Sequence, residues 1–220
     1  MSIGSIHAFS EKVALVTDAS DPVGRAIAIQ LALNGAYLLL GIASAKEDRV
    51  AAVKDLEEMG TLVNSFEWEP DVVGSAAELV RRSFKPFERL DLLVNTLMVD
   101  VSKADDLLSG RSSKMTIEKV LGSMIEATEC AIPRMEERPK PRIVSVCRRR
   151  QAPDTVSQTI LGATAGFIGG LAHDLPDHFR VNAVSFSDQP GTAPDNVART
   201  VLFLLSGEAA GVNGQTIDLI

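Results

Sequence analysis

Short apolar runs alternate along the chain with longer stretches whose apolar residues recur every three or four positions. The runs are Val13 to Thr17, Tyr37 to Gly41, Leu62 to Trp68, Leu92 to Asn95, Arg142 to Val146, Arg180 to Val184 and Gln215 to Leu219. Most are apolar on successive residues rather than on alternate ones, which is the signature of strands buried on both faces. The stretches between them are Val23 to Leu33, Glu47 to Met59, Ala76 to Phe87, Thr116 to Met135, Ile160 to Leu175 and Asp195 to Leu205. Each can lay an apolar stripe on a sheet. Seven strands alternating with six helices predict an α/β doubly wound fold, a seven-stranded parallel sheet with helices on both faces.

Length fits one such unit. The 220 residues carry 45% hydrophobic side chains and a mean hydropathy of +0.12, enough for one well-buried core and short for two. No internal repeat or flexible linker divides the chain, so residues 1–220 are read as a single domain, with Glu136 to Pro141 a stiff, charged connection inside it. A formal charge of -7 and a pI near 5.0 argue against nucleic acid or an acidic membrane surface as a partner, because both require a basic face. No apolar run approaches the length of a bilayer span and Met1 to Lys12 lacks the apolar centre of a signal peptide, so the expected location is the cytoplasm. Cys130 and Cys147 have no metal-ligand spacing and read as small buried hydrophobes. His7, His173 and His178 are scattered, and no metal role is assigned to them.

The segment "KVALVTDASDPVGRAIAIQLALNGA" resembles the short-chain dehydrogenase/reductase family, and "LDLLVN", "PRIVSV", "RVNAVS" and "GQTIDL" continue the resemblance in the family's order over nearly the whole chain. Any one of these pieces is weak, but five in register specify the fold. The resemblance implies a Rossmann fold, nicotinamide chemistry and oligomers. It also implies a set of functional residues, and there this sequence departs.

The family's phosphate loop reads T-G-x-x-x-G-x-G, with glycines that turn tightly and let the backbone approach a pyrophosphate at a helix N-terminus. The loop here is Thr17, Asp18, Ala19, Ser20, Asp21, Pro22, Val23, Gly24, in which only the last glycine remains. Asp18 adds a negative charge near the place of a dianion, a repulsion of about 1 to 4 kcal/mol at contact range. Pro22 removes a backbone donor but suits the first turn of a helix, so "SDPVG" also reads simply as a well-capped helix start. The second strand should end near an acidic residue or an Arg for the ribose, yet Ile42 and Ala43 stand there. After the fourth strand, N-N-A-G is replaced by Asn95, Thr96, Leu97 and Met98, whose bulk fills a gap the family keeps open.

The family's catalytic set is Asn, Ser, Tyr and Lys, the phenol acting as acid or base and the Lys four residues later lowering its pKa. The single tyrosine, Tyr37, lies in the second strand. One alignment of "GATAGFIGGLAHDL" puts Ile160 and Thr164 at the Tyr and Lys positions; a shift of one puts Leu161 and Ala165 there. The Ser position falls on Cys147 or Arg148, the Asn position near Met124, and Ser145 is too early and reads as a strand-end packing residue. The substrate-covering insertion that follows "VNAVSPG" in the family is nearly absent from "VNAVSFSDQPGTAPDN". No catalytic residue, no cofactor in this chain and no metal are therefore expected.

Two features remain. Gly162, Gly166, Gly169 and Gly170 interrupt one predicted helix, at about 1 kcal/mol each relative to Ala. Close packing against another helix would offset this, and the resemblance implies that this helix and the long one before it build the subunit interface; the alternative is that the glycines accommodate the domain's own sheet. Arg148, Arg149 and Arg150 follow the fifth strand at the edge where such folds bind ligands, either as an anion site or as a solvated surface run. The leading expectation is a non-catalytic subunit that pairs with an intact short-chain dehydrogenase paralogue, or with itself, through the two long central helices. NAD would then be held by the partner, in the manner of heteromeric family members that include oxidisers of hydroxyacyl-coenzyme A. The alternatives are an atypical, weak NAD(P)-dependent oxidoreductase using Cys147, Ser145 or Arg148, and an anion- or metabolite-binding regulatory protein.

Overall fold

The computed structural model describes residues 8–43, 53–70, 72–96, 111–149, 155–187 and 193–219, of which 111–116 are described by their backbone only. Seven strands form one sheet: β1 Val13–Val16, β2 Tyr37–Ile42, β3 Val63–Glu67, β4 Leu92–Asn95, β5 Arg142–Arg149, β6 Arg180–Ser187 and β7 Thr216–Leu219. Every pairing is parallel, in the order β3-β2-β1-β4-β5-β6-β7. The order reverses between β1 and β4, so the loops after these strands diverge and leave a crevice at the carboxyl edge. The chain is thus a doubly wound Rossmann-type α/β fold.

Five helices are described through their length: α1 Pro22–Leu33, α2 Ser75–Phe84, α3 Arg111–Met135, α4 Thr155–Asp174 and α5 Pro194–Leu205. Residues 53–58 are also helical, inside the sixth predicted helix, and the start of that segment falls outside the described residues. Alternate residues of each strand feed two cores. Ala14, Val16, Leu38, Leu40, Val144 and Val184 pack with α1 and α5 on one face. Leu15, Leu39, Leu93, Ile143 and Val181 pack with α2, α3 and α4 on the other. Leu15, Leu39, Ile27 and Leu79 are sealed to 1% exposure or less, each worth about 1.5 to 3 kcal/mol of transfer free energy.

Several boundaries differ from expectation. β5 and β6 run three residues beyond Val146 and Val184, because the ladder continues through Cys147↔Ser185, Arg148↔Phe186 and Arg149↔Ser187. Arg148 and Arg149 therefore belong to the strand rather than to a loop after it. The helices α3 and α4 each start five residues before the predicted Thr116 and Ile160, since polar and small residues in the first turns carry no apolar period to mark them.

At the amino edge, Asp91 anchors β1 against β4. Its side chain is fully buried and accepts from Arg89 at 2.6 and 3.0 Å, from Lys12 at 3.4 Å and from the Val13 N–H at 3.0 Å. Burial alone would raise its pKa, but the Arg89 and Val13 hydrogen bonds and the Lys12 charge outweigh it and hold the carboxyl below its usual value. A depressed pKa stabilises the fold above the unfolded value near 3.8, and that contribution is lost as pH falls through the folded value. Asp91→Ala should cost roughly 1 to 3 kcal/mol, since it leaves the buried Val13 N–H without its acceptor and removes the partner of the half-buried Arg89 and Lys12. In chemical denaturation it should also flatten the acid limb of stability below about pH 4; an unchanged midpoint would contradict this role.

Candidate functional site

The carboxyl edge of β1 turns sharply into α1, and the turn depends on two missing side chains. A Cβ on Gly24 would sit 1.8 Å from the Asp18 carbonyl oxygen, and one on Gly41 would sit 2.0 Å from that of Thr17. Gly24 was expected at a close helix-to-strand approach. Gly41 was not, although its place at the end of β2 inside an otherwise bulky "LLLGI" run was the available signal. The turn is tied to β4 by Thr96: its N–H donates to Thr17 Oγ1 at 3.0 Å, its hydroxyl donates to the Asp18 carbonyl at 2.9 Å, and the Asp18 N–H donates back to Thr96 Oγ1 at 2.9 Å.

Two carboxylates occupy the loop. Asp18 accepts from the Ser20 N–H at 2.9 Å and from the Ser20 hydroxyl, while burial pushes its pKa above the ordinary value and the neighbouring Asp21 charge adds to that rise. Asp21 caps α1, its Oδ1 accepting from the Val23 N–H at 2.8 Å, with Pro22 in the first turn. Its other oxygen accepts from Arg148 Nη2 at 2.7 Å, and the Arg148 guanidinium lies 5.6 Å from the centroid of Phe186. An ion pair across 127 residues thus joins the α1 N-terminus to the far end of β5. Helix N-termini attract anions through free N–H groups and the positive end of the dipole. Here that place holds the chain's own carboxylates.

The arginine run is not one patch. Successive strand residues point to opposite faces, so Arg148 joins Asp21 over the α1 side while Arg149 donates to Asp218 at 3.0 Å and to the Leu219 carbonyl. Arg150 lies outside the described residues, as do Leu97 and Met98. Ile42 is fully buried in the core under α1, and Ala43 packs on the opposite core.

Further along the edge, the Cys147 thiol donates to Thr164 Oγ1 at 3.6 Å. This contact faces strand position 147 toward helix position 164. Ile160 is buried in a small apolar cluster with Val120 and Val156, Thr164 is fully buried, and Met124 is buried in the core under α3. Burial pushes the Cys147 thiol up, against the opposing effect of Thr164, so the sulfur is held as a protonated, weakly nucleophilic group. Ser145, 1% exposed, receives Asn95 Nδ2 at 3.4 Å, while the same nitrogen donates to Thr128 Oγ1 at 2.9 Å. Among the described residues no group of three or more His, Cys, Asp or Glu could hold a metal ion, and no helix is long and apolar enough to cross a membrane.

The four glycines of α4 all lie on its exposed side, and a Cβ at 162, 166, 169 or 170 would meet no atom within 4 Å. They do not lie on the buried side of the helix, which carries Val156, Ser157, Ile160, Thr164 and Ile168 instead.

A family model described as short chain dehydrogenase matches residues 12–188. The chain belongs to that family. An uncharacterised oxidoreductase of Methylorubrum extorquens is 29% identical over 94% of this chain and 95% of its own length. The 3-oxoacyl-(acyl-carrier-protein) reductase of Staphylococcus aureus is 28% identical over 94% and 96%. The short-chain dehydrogenase/reductase of Serratia marcescens superposes with a TM-score of 0.84 at 21% identity, over 97% of this chain and 98% of that one, a likeness of fold.

The raised pKa of Asp18 gives a signed prediction. A carboxyl whose folded pKa exceeds its unfolded value contributes stability below about 3.8, and that contribution is lost as pH rises through the folded value. Asp18→Asn keeps an acceptor for Ser20 and removes the buried charge. Thermal unfolding should show the variant more stable than the parent at pH 7, with the gap closing near pH 3.5; a variant less stable at pH 7 would mean that the Ser20 hydrogen bonds outweigh burial.

Proposed function

We propose that this member of the short chain dehydrogenase family is a non-catalytic subunit that assembles through α3 and α4 with an intact family member, which carries the NAD and the chemistry. The observation that carries the reading is the Asp21 carboxylate at the α1 N-terminus, held there by Arg148 at 2.7 Å. A dinucleotide pyrophosphate needs the same N–H groups and the same positive field. Asp18 stands beside it, half-buried. One like charge at about 4 Å costs on the order of 1 to 4 kcal/mol, roughly tenfold to a thousandfold in affinity. These residues do not fit the cofactor.

The catalytic positions support the same reading. Ile160 and Thr164 supply no acid, base or cation, and a family mechanism built on a phenol has no counterpart at this edge. Among the described residues near them, the Cys147 thiol is held protonated, Ser145 is buried and Arg148 is ion-paired. Six residues, 188 to 193, join β6 to α5, too few to cover a substrate and exclude water.

What the chain does offer is a face. Four exposed glycines in the interior of a 20-residue helix weaken it by about 1 kcal/mol each. Among the described residues no atom outside the helix backbone lies within 4 Å of where their Cβ atoms would be, so contact with a second chain would offset the loss. The partner is an intact family paralogue, with a second copy of this chain as the alternative; an enzyme acting on hydroxyacyl-coenzyme A fits the heteromeric precedent.

Two measurements test this. Calorimetric titration of the isolated chain with NADH and NADPH should give no binding heat, and binding should appear in a stable complex with the intact partner; micromolar binding by the chain alone would overturn the proposal. Gly166→Ala should stabilise the isolated chain by about 1 kcal/mol, because the new methyl enters open space. Gly166→Trp should fold yet fail to form the complex, and a complex that tolerates tryptophan would remove this face from the interface.

A further inference from the structure

The amino edge of the sheet, opposite the family's cofactor edge, carries a second electrostatic anomaly. Arg142 and Arg180 open β5 and β6 and are direct neighbours in the ladder. Both are more than nine-tenths buried, at 6% and 7% exposure. Buried arginines are ordinarily ion-paired. These two have no carboxylate partner among the described residues, and the nearest charge that acts on Arg142 is Arg180 itself. Burial first, and the Arg180 charge second, depress the Arg142 pKa to about 10.

Their hydrogen bonds reach backbone oxygens only. Arg142 Nη1 donates to the Pro141 carbonyl at 2.8 Å and to that of His178 at 2.9 Å, and Arg180 Nη2 donates to the Ser206 carbonyl at 2.5 Å. Arg180 Nε is buried with no acceptor. Ser206 caps the C-terminus of α5, and a helix end supplies about half a negative charge. Two guanidiniums against half a charge leave more than one unit of positive charge unneutralised. The residue after the acceptor is Gly207, whose Cβ would enter open space, so position 207 places no side chain there.

We propose that Arg142 and Arg180 form a site for a phosphate-class oxyanion at the amino edge of β5 and β6. Two planar donor forks at paired positions of adjacent strands, on the same face of the sheet, suit a tetrahedral dianion that accepts from both. The ion would supply an acceptor for Arg180 Nε and cancel the excess charge. It could arrive as free phosphate or as the phosphoryl group of a metabolite; the chemistry at the arginines is the same. The site does not depend on whether the chain is catalytic.

Thermal unfolding of the full chain is measured against increasing inorganic phosphate, with chloride at matched ionic strength as control and glycerol phosphate as a second probe. The expected result is a saturable rise in Tm with inorganic phosphate, on the order of 5 °C at a hundredfold excess over Kd, with little rise in chloride. A matching rise with glycerol phosphate supports a phosphoryl group as ligand; a rise with inorganic phosphate alone supports the free ion. Arg180→Met should abolish the saturable part. If that variant does not fold, Arg142→Lys, which keeps the charge and loses the fork, should weaken the apparent affinity about tenfold. Phosphate also stabilises proteins without binding, in a linear, non-saturating way. A response of that kind alone, or a saturable one unchanged in the variants, would overturn the proposal.

Discussion

The backbone of Thr17 and Asp18 passes so close to Gly24 and Gly41 that neither position has room for a Cβ. Much of the carboxyl edge follows from that approach. It sets the height at which α1 leaves the sheet, brings the Ala19 N–H to the Gly41 carbonyl at 2.8 Å, and lets Thr96 lock the turn to the end of β4. Ordinary Rossmann loops use the same backbone economy to leave N–H groups free for a phosphate. In this chain the scaffold of the turn is intact while its charge is reversed by Asp18 and Asp21.

That reversal is a matter of electrostatic balance rather than of steric damage. Asp21 makes the best local use of the helix start, since a cap is worth about 1 kcal/mol and an anion there gains further from the dipole. Arg148 then neutralises it over the aromatic face of Phe186. The result is a self-contained ion pair where a relative of this fold would need an exogenous anion to satisfy the same groups. Such a pair suits the structural task proposed for the chain.

How much of this was legible in the sequence varies with the physics involved. Strands buried on both faces announce themselves as continuous apolar runs, so the sheet core could be read directly. The ends of β5 and β6 could not, because "CRR" and "SFS" are apolar in neither period and are held as strand by pairing with each other. Arg148 and Arg149 read as one cluster because sequence adjacency hides the alternation that sends them to opposite faces. The absence of a Tyr and a Lys from "GATAGFIGGLAHDL" was readable as letters, yet the contact of Cys147 with Thr164 comes only from the fold. Gly41 was overlooked because a glycine inside a strand carries no period, and what it touches comes from β1 rather than from its own segment.

The glycines of α4 close the argument, because they separate stability from assembly. A helix selected only to cover its own sheet would place alanine at 162, 166, 169 and 170, where a methyl meets nothing and about 1 kcal/mol is gained at each. Keeping glycine there lowers the stability of the isolated chain, and no described atom packs where the methyl would be. Under the proposed assembly the compensation comes from a partner, because a smooth, uncharged face lets another helix backbone approach closely. Asp21 is paired within the chain by Arg148, while the exposed glycines of α4 meet no described side chain. The proposed assembly through α3 and α4 would account for both.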